Sequence, residues 1–315
     1  MSLERLGNQI NRRQLLAATI AATVAATSSA SASAAQNANR VGFVDDNLDN
    51  FHSRTYLRIL RSELKDRGFV IAGATALQAE SSRRWAVENK VPYFDSVKRL
   101  SEVVDYFAVL APSSPQVHLD LCQKVLPLGK TTFVDKTFAP DATTAEKIFE
   151  LADKHQVSMQ TSSALRYTAV QEYVTKAGRE TLRHMTSWGG GSNFDEYVIH
   201  PLELVVSCMG HEIESVMRRG GEPHSQLLLN FSGDRTAVIN IYTKSRTPYA
   251  ASVTTTKETR YIPVDTKRLF VDAAAGMLDF FAAKNPLIDR NETMAVMRII
   301  DAARLPATKN GFVKV

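Results

Sequence analysis

The sequence predicts an α/β protein, with a doubly wound parallel sheet in its first half and an α+β domain with an open antiparallel sheet in its second. Three observations carry this. Residues 104–162 alternate strand, helix, strand, helix, strand. Residues 40–75 form a further strand–helix–strand unit of the size that parallel sheets use. From residue 226 onward, alternating apolar runs joined by tight turns give way to two amphipathic helices.

The elements follow in order. Asn11, Arg12 and Arg13 precede a weakly apolar Ala/Thr-rich run, and alternating Ser and Ala lead to Ala34. Paired arginines, a weakly apolar stretch and an Ala-x-Ala site describe a twin-arginine export signal over residues 1–34. A disordered basic tail would explain the arginines but not the graded order of the three parts. The run is too short and polar for a stable membrane span, which needs about 20 mostly apolar residues. The expected destination is the periplasm or the cell exterior, reached through the export machinery.

Residues 40–45 read as a short apolar strand, 51–66 as a helix and 69–75 as a second strand. Strands follow at 105–111, 131–135 and 157–162, with helices at 115–126 and 143–155. The first domain is expected over 35–164 and the second over 165–315. In the second, 226–231 and 235–243 flank Ser232, Gly233 and Asp234 as a hairpin. Strands at 250–256 and 259–264 and helices at 271–283 and 292–305 complete it.

Composition is that of an ordinary globular protein, 44% apolar and 23% charged. Loss of the leader removes three arginines and one glutamate, so the net charge falls from +5 to +3. That is too small to argue for nucleic acid, and no basic run interleaves with aromatics. Cys122 and Cys208 each sit in an apolar helical pattern and read as buried thiols. No Cys/His cluster has metal-ligand spacing, so no metal site is expected.

Two segments carry chemistry. The second strand of residues 104–162 ends in Val134, Asp135, Lys136 and Thr137. Ligands of open parallel sheets sit at the carboxyl ends of strands, and a lysine there can exchange protons. An ordinary solvated loop lysine is the alternative. In the second half, Gly189, Gly190 and Gly191 lead into a helical run holding Glu196, Tyr197, His200 and Glu203. On a helix Glu196, His200 and Glu203 share one face, and a carboxylate one turn away orients a histidine. The alternative is a charged face that is merely solvated. Pro201 suggests that His200 lies in a first turn.

The run from Asp105 to Pro112, then His118, Gly129, Lys130, Asp135, Lys136, Glu150 to His155, and Arg166 with Tyr167, follows a recurrent order. It resembles the Gfo/Idh/MocA family of glucose–fructose oxidoreductases and inositol dehydrogenases. The resemblance implies a Rossmann-like first domain, NAD or NADP as cofactor, and a sugar or cyclic polyol as substrate. It implies that Lys136 and His200 are catalytic, with Glu196 orienting His200. Ala111, Pro112, His118, Asp135 and Lys136 would meet the cofactor; Arg166, Tyr197 and Glu203 would meet the substrate. A homodimer formed through the second sheet is implied in the same way.

The family's Glu-Lys-Pro is Asp135, Lys136 and Thr137 here, and its two aspartates around the histidine are Glu196 and Glu203. Its first turn carries Gly-x-Gly-x-x-Gly-x-x-His. Counting back from His52, those glycine positions hold Val44, Asp46 and Asp49. Asp45, Asp46 and Asp49 facing a diphosphate would be unfavourable, since two unit charges about 4 Å apart repel by about 4 kcal/mol at an effective dielectric near 20. Asp49 or Asn50 capping the helix from Phe51 is the structural alternative. The expected protein is an exported oxidoreductase. Its rivals are a cofactor-free sugar-binding protein that kept the fold, and a lyase or hydrolase working through a transient keto sugar.

Overall fold

The computed structural model describes residues 39–315; the expected leader lies outside the described residues. The first sheet has the strand order β2 (Phe69–Ala76), β1 (Asn39–Asp45), β3 (Tyr106–Val109), β4 (Thr132–Asp135), β5 (Met159–Ser162). β1, β3, β4 and β5 pair in parallel. β3 and β4 are buried throughout, as expected of strands covered on both faces. The chain leaves β1 in one direction to reach β2 and in the other to reach β3. The switch point therefore lies at the carboxyl ends of β1 and β3, where such sheets open a crevice.

Helix α1 (Phe51–Arg61) starts at Asn50, whose side chain accepts from the backbone N–H of His52 and Ser53. It is shorter than expected: a separate turn at Lys65–Arg67 precedes Gly68, whose φ of 72° suits glycine. Two short helices that the sequence reading did not assign, α2 (Ala79–Glu88) and α3 (Val97–Ser101), join β2 to β3. Helices α4 (His118–Val125) and α5 (Ala142–Lys154) lie where the periodicity placed them. Cys122 on α4 is buried and free, and burial pushes its thiol up to about 12.

A helix α6 (Ala169–Ala177) leads to the second sheet, ordered β11 (Thr259–Pro263), β10 (Ala250–Thr255), β6 (Leu182–Gly191), β9 (Arg235–Thr243), β8 (His224–Phe231), β7 (Ile213–Gly221), β12 (Val313–Lys314). The expected open sheet is present, but it is not wholly antiparallel: β6 and β9 run parallel. The reason is a crossover. After β6 the chain passes through α7 (Phe194–Tyr197) and α8 (Ile199–Met209) before the antiparallel β7–β8–β9 meander returns it in the original direction. The three glycines that lead into the helical run are the end of β6. A Cβ at Gly190 would stand 1.9 Å from the Tyr242 carbonyl oxygen, and one at Gly191 would stand 2.1 Å from the Tyr197 ring. Cys208 on α8 is the other free, buried thiol.

Helix α9 (Leu269–Ala283) returns to the first sheet. Its Ala274, Met277, Leu278, Phe280 and Phe281 join the core formed by Val41, Phe43, Leu57 and Phe133. Helix α10 (Arg290–Arg304) packs Val296, Ile299 and Ile300 into the core of the second sheet and Met294 and Met297 into that of the first. Burying a side chain of this size contributes about 1.5–3 kcal/mol. The two C-terminal helices thus fix the second sheet against the first and set the crevice between them. No helix among the described residues is long and apolar enough to cross a membrane.

Candidate active site

The site is built at the end of β4. Asp135 is 1% exposed, and its carboxylate does two things. Oδ1 accepts the backbone N–H of Lys136 at 2.8 Å, and Oδ2 lies 2.5 Å from His52 Nδ1. Lys136 is 6% exposed, and its Nζ donates to the Pro112 carbonyl at 3.0 Å. Its ammonium is therefore fixed between β4 and the loop after β3. The Lys136–Thr137 peptide is cis.

His200 approaches from the second sheet, in the first turn of α8 with Pro201. Its ring lies against Tyr197 and Tyr249, with centroids 5.8 and 6.3 Å away. Burial holds the imidazole well below the usual histidine range, and the nearby Lys136 and His52 add to this. His200 is thus a neutral imidazole at neutral pH, within electrostatic reach of Lys136. Tyr249 is pushed up to about 12 by burial, with Tyr197 adding to it, so it remains a phenol that donates to the Gly190 carbonyl at 2.9 Å.

Lys136, Asp135, Pro112, Ala111, Tyr197 and His200 are therefore brought together or into the walls around the lysine. Four expected site residues make other contacts, although Glu203 shares the wall of a small cavity with Lys136. Glu196 does not orient His200: its carboxylate accepts from Ser113 at 2.8 Å and from Ser192 and Asn193 at 3.3 Å, and so ties α7 to the loop after β3. His118 is fully buried beneath that loop, with its ring nitrogens against the carbonyls of Leu110 and Phe138. Arg166 and Glu203 are ion-paired at 2.7 Å inside the protein, and Arg166 also meets Glu292 at 2.6 Å. Burial opposes the Arg166 charge, but the two carboxylates outweigh it and hold the guanidinium above its ordinary pKa. A cleft of about 800 Å³ between α6 and α9 includes Arg166 in its wall, but neither Lys136 nor His200.

His52, to which the sequence analysis assigns no role, also belongs to this site. It is held by Asp135 and enclosed by Tyr56 and Phe270, with ring centroids 5.8 and 5.3 Å away. Its offset from the first turn was the available signal. Nothing local pointed to Phe270, which α9 delivers from far along the chain.

The three aspartates of the first turn have different fates. Asp45 is fully buried and faces inward. Its Oδ1 accepts from the N–H groups of Asp46, Asn47 and Ala111, and its Oδ2 from the Asn50 amide. Asp46 accepts from its neighbour Asn47 and from the Ser114 hydroxyl at 2.7 Å. Asp49 is exposed and paired with Arg54. Asn50, not an aspartate, caps α1. Beside this turn, over the ends of β1 and β2, lies a groove of about 410 Å³ lined by Thr75, Ala76, Leu77 and Ser96.

Residues 49–163 match a sequence profile described as an oxidoreductase family with an NAD-binding Rossmann fold, GFO_IDH_MocA. No curated protein sequence matches this chain. Among solved structures, a probable dehydrogenase from Thermotoga maritima superposes with a TM-score of 0.74 at 14% identity, covering 87% of this chain and 98% of that one. A myo-inositol 2-dehydrogenase from Lactobacillus plantarum gives 0.73 at 13% identity, over 88% and 99% of the two chains. A UDP-N-acetylglucosamine 3-dehydrogenase from Acidithiobacillus ferrooxidans gives 0.70 at 16% identity, over 85% and 97%. At these identities the likeness is one of fold.

In a Rossmann domain the cofactor diphosphate rests on the turn after β1 and the start of the next helix. Here the N–H of Asp46 points at Asp45, that of Asn47 at Asp46, and those of His52 and Ser53 at Asn50. The residues present do not fit a diphosphate in that turn.

Proposed function

Because residues 49–163 of this chain belong to the Gfo/Idh/MocA family, an NAD-binding oxidoreductase family, we propose that the protein oxidises or reduces a CH–OH group of a sugar or cyclic polyol. The observation that carries this is the Lys136 ammonium, buried and fixed on a backbone carbonyl, with a histidine beside it that its surroundings keep neutral. Such a pair moves a proton. As the substrate carbon is oxidised its hydroxyl proton must leave. Lys136 can take it if its own proton passes to His200, and the reverse sequence serves reduction. Asp135 positions the lysine through its backbone N–H and holds His52 in the wall. Tyr197 and Tyr249 offer ring faces of the kind that pack on sugar C–H groups. The inositol and amino-sugar dehydrogenases of the same fold support the substrate class. A nicotinamide cofactor, NAD or NADP being the class the family uses, would accept or supply the hydride, and Lys136 and His200 handle only the proton.

The filled first turn favours a second reading, a sugar-binding protein that kept the fold without the cofactor. A lyase or hydrolase passing through a keto sugar would use the same lysine. Denaturing the purified protein and measuring the mass and absorbance of what it releases separates these. So does assaying sugars and polyols with NAD⁺, with NADP⁺ and with neither. Saturable sugar binding without turnover under all three conditions would discard the oxidoreductase reading in favour of the second.

The leader supports export by the twin-arginine route to the periplasm or beyond. Replacing Arg12 and Arg13 with lysine should leave the protein in the cytoplasm, as fractionation followed by immunoblotting would show. Export of the double variant at the wild-type level contradicts the assignment.

A further inference from the structure

We propose that the Asp45 carboxyl group fills the place of a cofactor phosphate, so that the chain holds free nicotinamide dinucleotides weakly until that side chain is removed. This rests on reading the crevice at β1 and β3 as the family's cofactor crevice. It does not depend on whether Lys136 turns a substrate over.

A turn of this kind binds anions because its N–H groups are unsatisfied and the helix dipole adds a partial positive charge. In this chain most of those donors are already used. Asp45 Oδ1 lies 2.8 Å from the Asp46 nitrogen, 3.4 Å from that of Asn47 and 3.0 Å from that of Ala111. Its Oδ2 lies 2.8 Å from the Asn50 amide nitrogen. The Leu48 N–H goes to the Ser82 hydroxyl, and the Asp49 N–H to the Asn47 side chain. Asn50 covers the His52 and Ser53 donors of α1.

The donors that converge on Asp45 come from two separate loops, after β1 and after β3, as they would around a phosphate bound at a switch point. All are neutral, and burial among them pushes the Asp45 carboxyl well above its usual range, so its hold on the donors, not its charge, is what fills the turn. A second carboxylate reinforces the block. Asp46 reaches across to Ser114 and ties the two loops together. Leu48 is fully buried, and the Ser53 hydroxyl donates to its carbonyl, so the turn is packed where glycines would leave it open. An incoming diphosphate would have to displace Asp45 from three close donors, the N–H groups of Asp46 and Ala111 and the Asn50 amide, and Asp46 from the Asn47 N–H. Asp49 takes no part, since it faces solvent beside Arg54.

The test uses the purified full chain, wild type and Asp45→Ala, with NADH, NADPH and sodium pyrophosphate as probes. Binding is read by fluorescence titration and by melting temperature. About 1 mM of any probe should leave the wild-type melting temperature unchanged, because a ligand stabilises only in proportion to its occupancy. Asp45→Ala should melt lower, be restored by pyrophosphate or NADH, and bind NADH at least about tenfold more tightly than wild type. Asp46→Ser provides a milder opening that keeps the Asp45 contacts, with an expected gain of several-fold even if Asp45→Ala does not fold. Wild-type NADH binding in the low micromolar range, or affinity that is unchanged or weaker in the variants, overturns the proposal. Absence of turnover in wild type together with anion rescue of Asp45→Ala would leave this inference standing while the oxidoreductase reading fell. Tight wild-type cofactor binding with turnover would do the opposite.

Discussion

Lys136→Ala should lower turnover of the sugar or polyol substrate by about 10²–10⁴-fold, the usual worth of a positioned acid–base group, with little change in substrate binding. Lys136 is anchored on the carbonyl of Pro112 and lies within electrostatic reach of His200. His200→Ala should cost a similar factor. The double variant should be little worse than the worse single one, because groups that act as one relay lose their effect together. The pH dependence has a definite sign. The folded pKa of His200 lies well below its ordinary value of 6.5, so the imidazole stays neutral through pH 6.5 and turnover falls only at lower pH. The unfolded chain takes up that proton near pH 6.5, so stability is lost progressively as pH falls from there toward the folded value. In His200→Ala both dependences should flatten. If the protein only binds sugar, the same changes would weaken affinity by about 1–3 kcal/mol through lost hydrogen bonds, with no rate to lose. A purely structural role for Lys136 would lower the melting temperature and leave the rate per folded molecule intact. Turnover that survives intact in Lys136→Ala would sink the mechanism.

The parts legible in the sequence are those that local pattern decides. The strands around Phe107 and Phe133 are short apolar runs, and the helices between them have apolar positions at helical spacing. Lys136 was legible because a charge at the end of such a strand has no packing role. His200 was legible through Pro201 and the glycines before it, which end a strand and make room for Tyr197. What stayed hidden was decided by partners distant in sequence. Glu196 is one turn from His200 along the chain, yet Ser113, 83 residues away, takes its carboxylate. Asp135 reads as a cofactor contact until His52, also 83 residues away, is seen against it. Arg166 and Glu203 read as substrate groups until Glu292 closes the pair into a triad. The acidic first turn was visible in the sequence, but not that one of its carboxylates turns inward.

Removing Arg166 should be among the most destabilising single changes in the protein, costing about 3–5 kcal/mol for Arg166→Ala. Its guanidinium joins three segments: the Ser163–Arg166 link after β5, α8 through Glu203, and α10 through Glu292. The side chains are 9%, 7% and 9% exposed, so water cannot replace the lost partner. Glu203 keeps the Ser163 N–H, and Glu292 keeps only the longer contact with Arg179 at 3.5 Å. Two carboxylates would then share a buried space without a cation between them. Burial already raises the folded pKa of Glu203, against the pull of Arg166. Without the arginine that pKa rises further, so the variant's deficit should be largest at neutral pH. A carboxyl group with a raised folded pKa stabilises fully below its unfolded value, about 4.3, and loses that contribution as pH rises through the folded value. The deficit should therefore shrink as the pH is lowered toward about 5, which urea unfolding across the range would measure. Replacing all three residues together with Met or Leu should recover most of the loss, since a buried ion pair seldom outperforms well-packed apolar side chains. A cost below about 1 kcal/mol for Arg166→Ala, typical of a solvated pair, would show that the triad is open to water and return Arg166 to the list of groups available to a ligand.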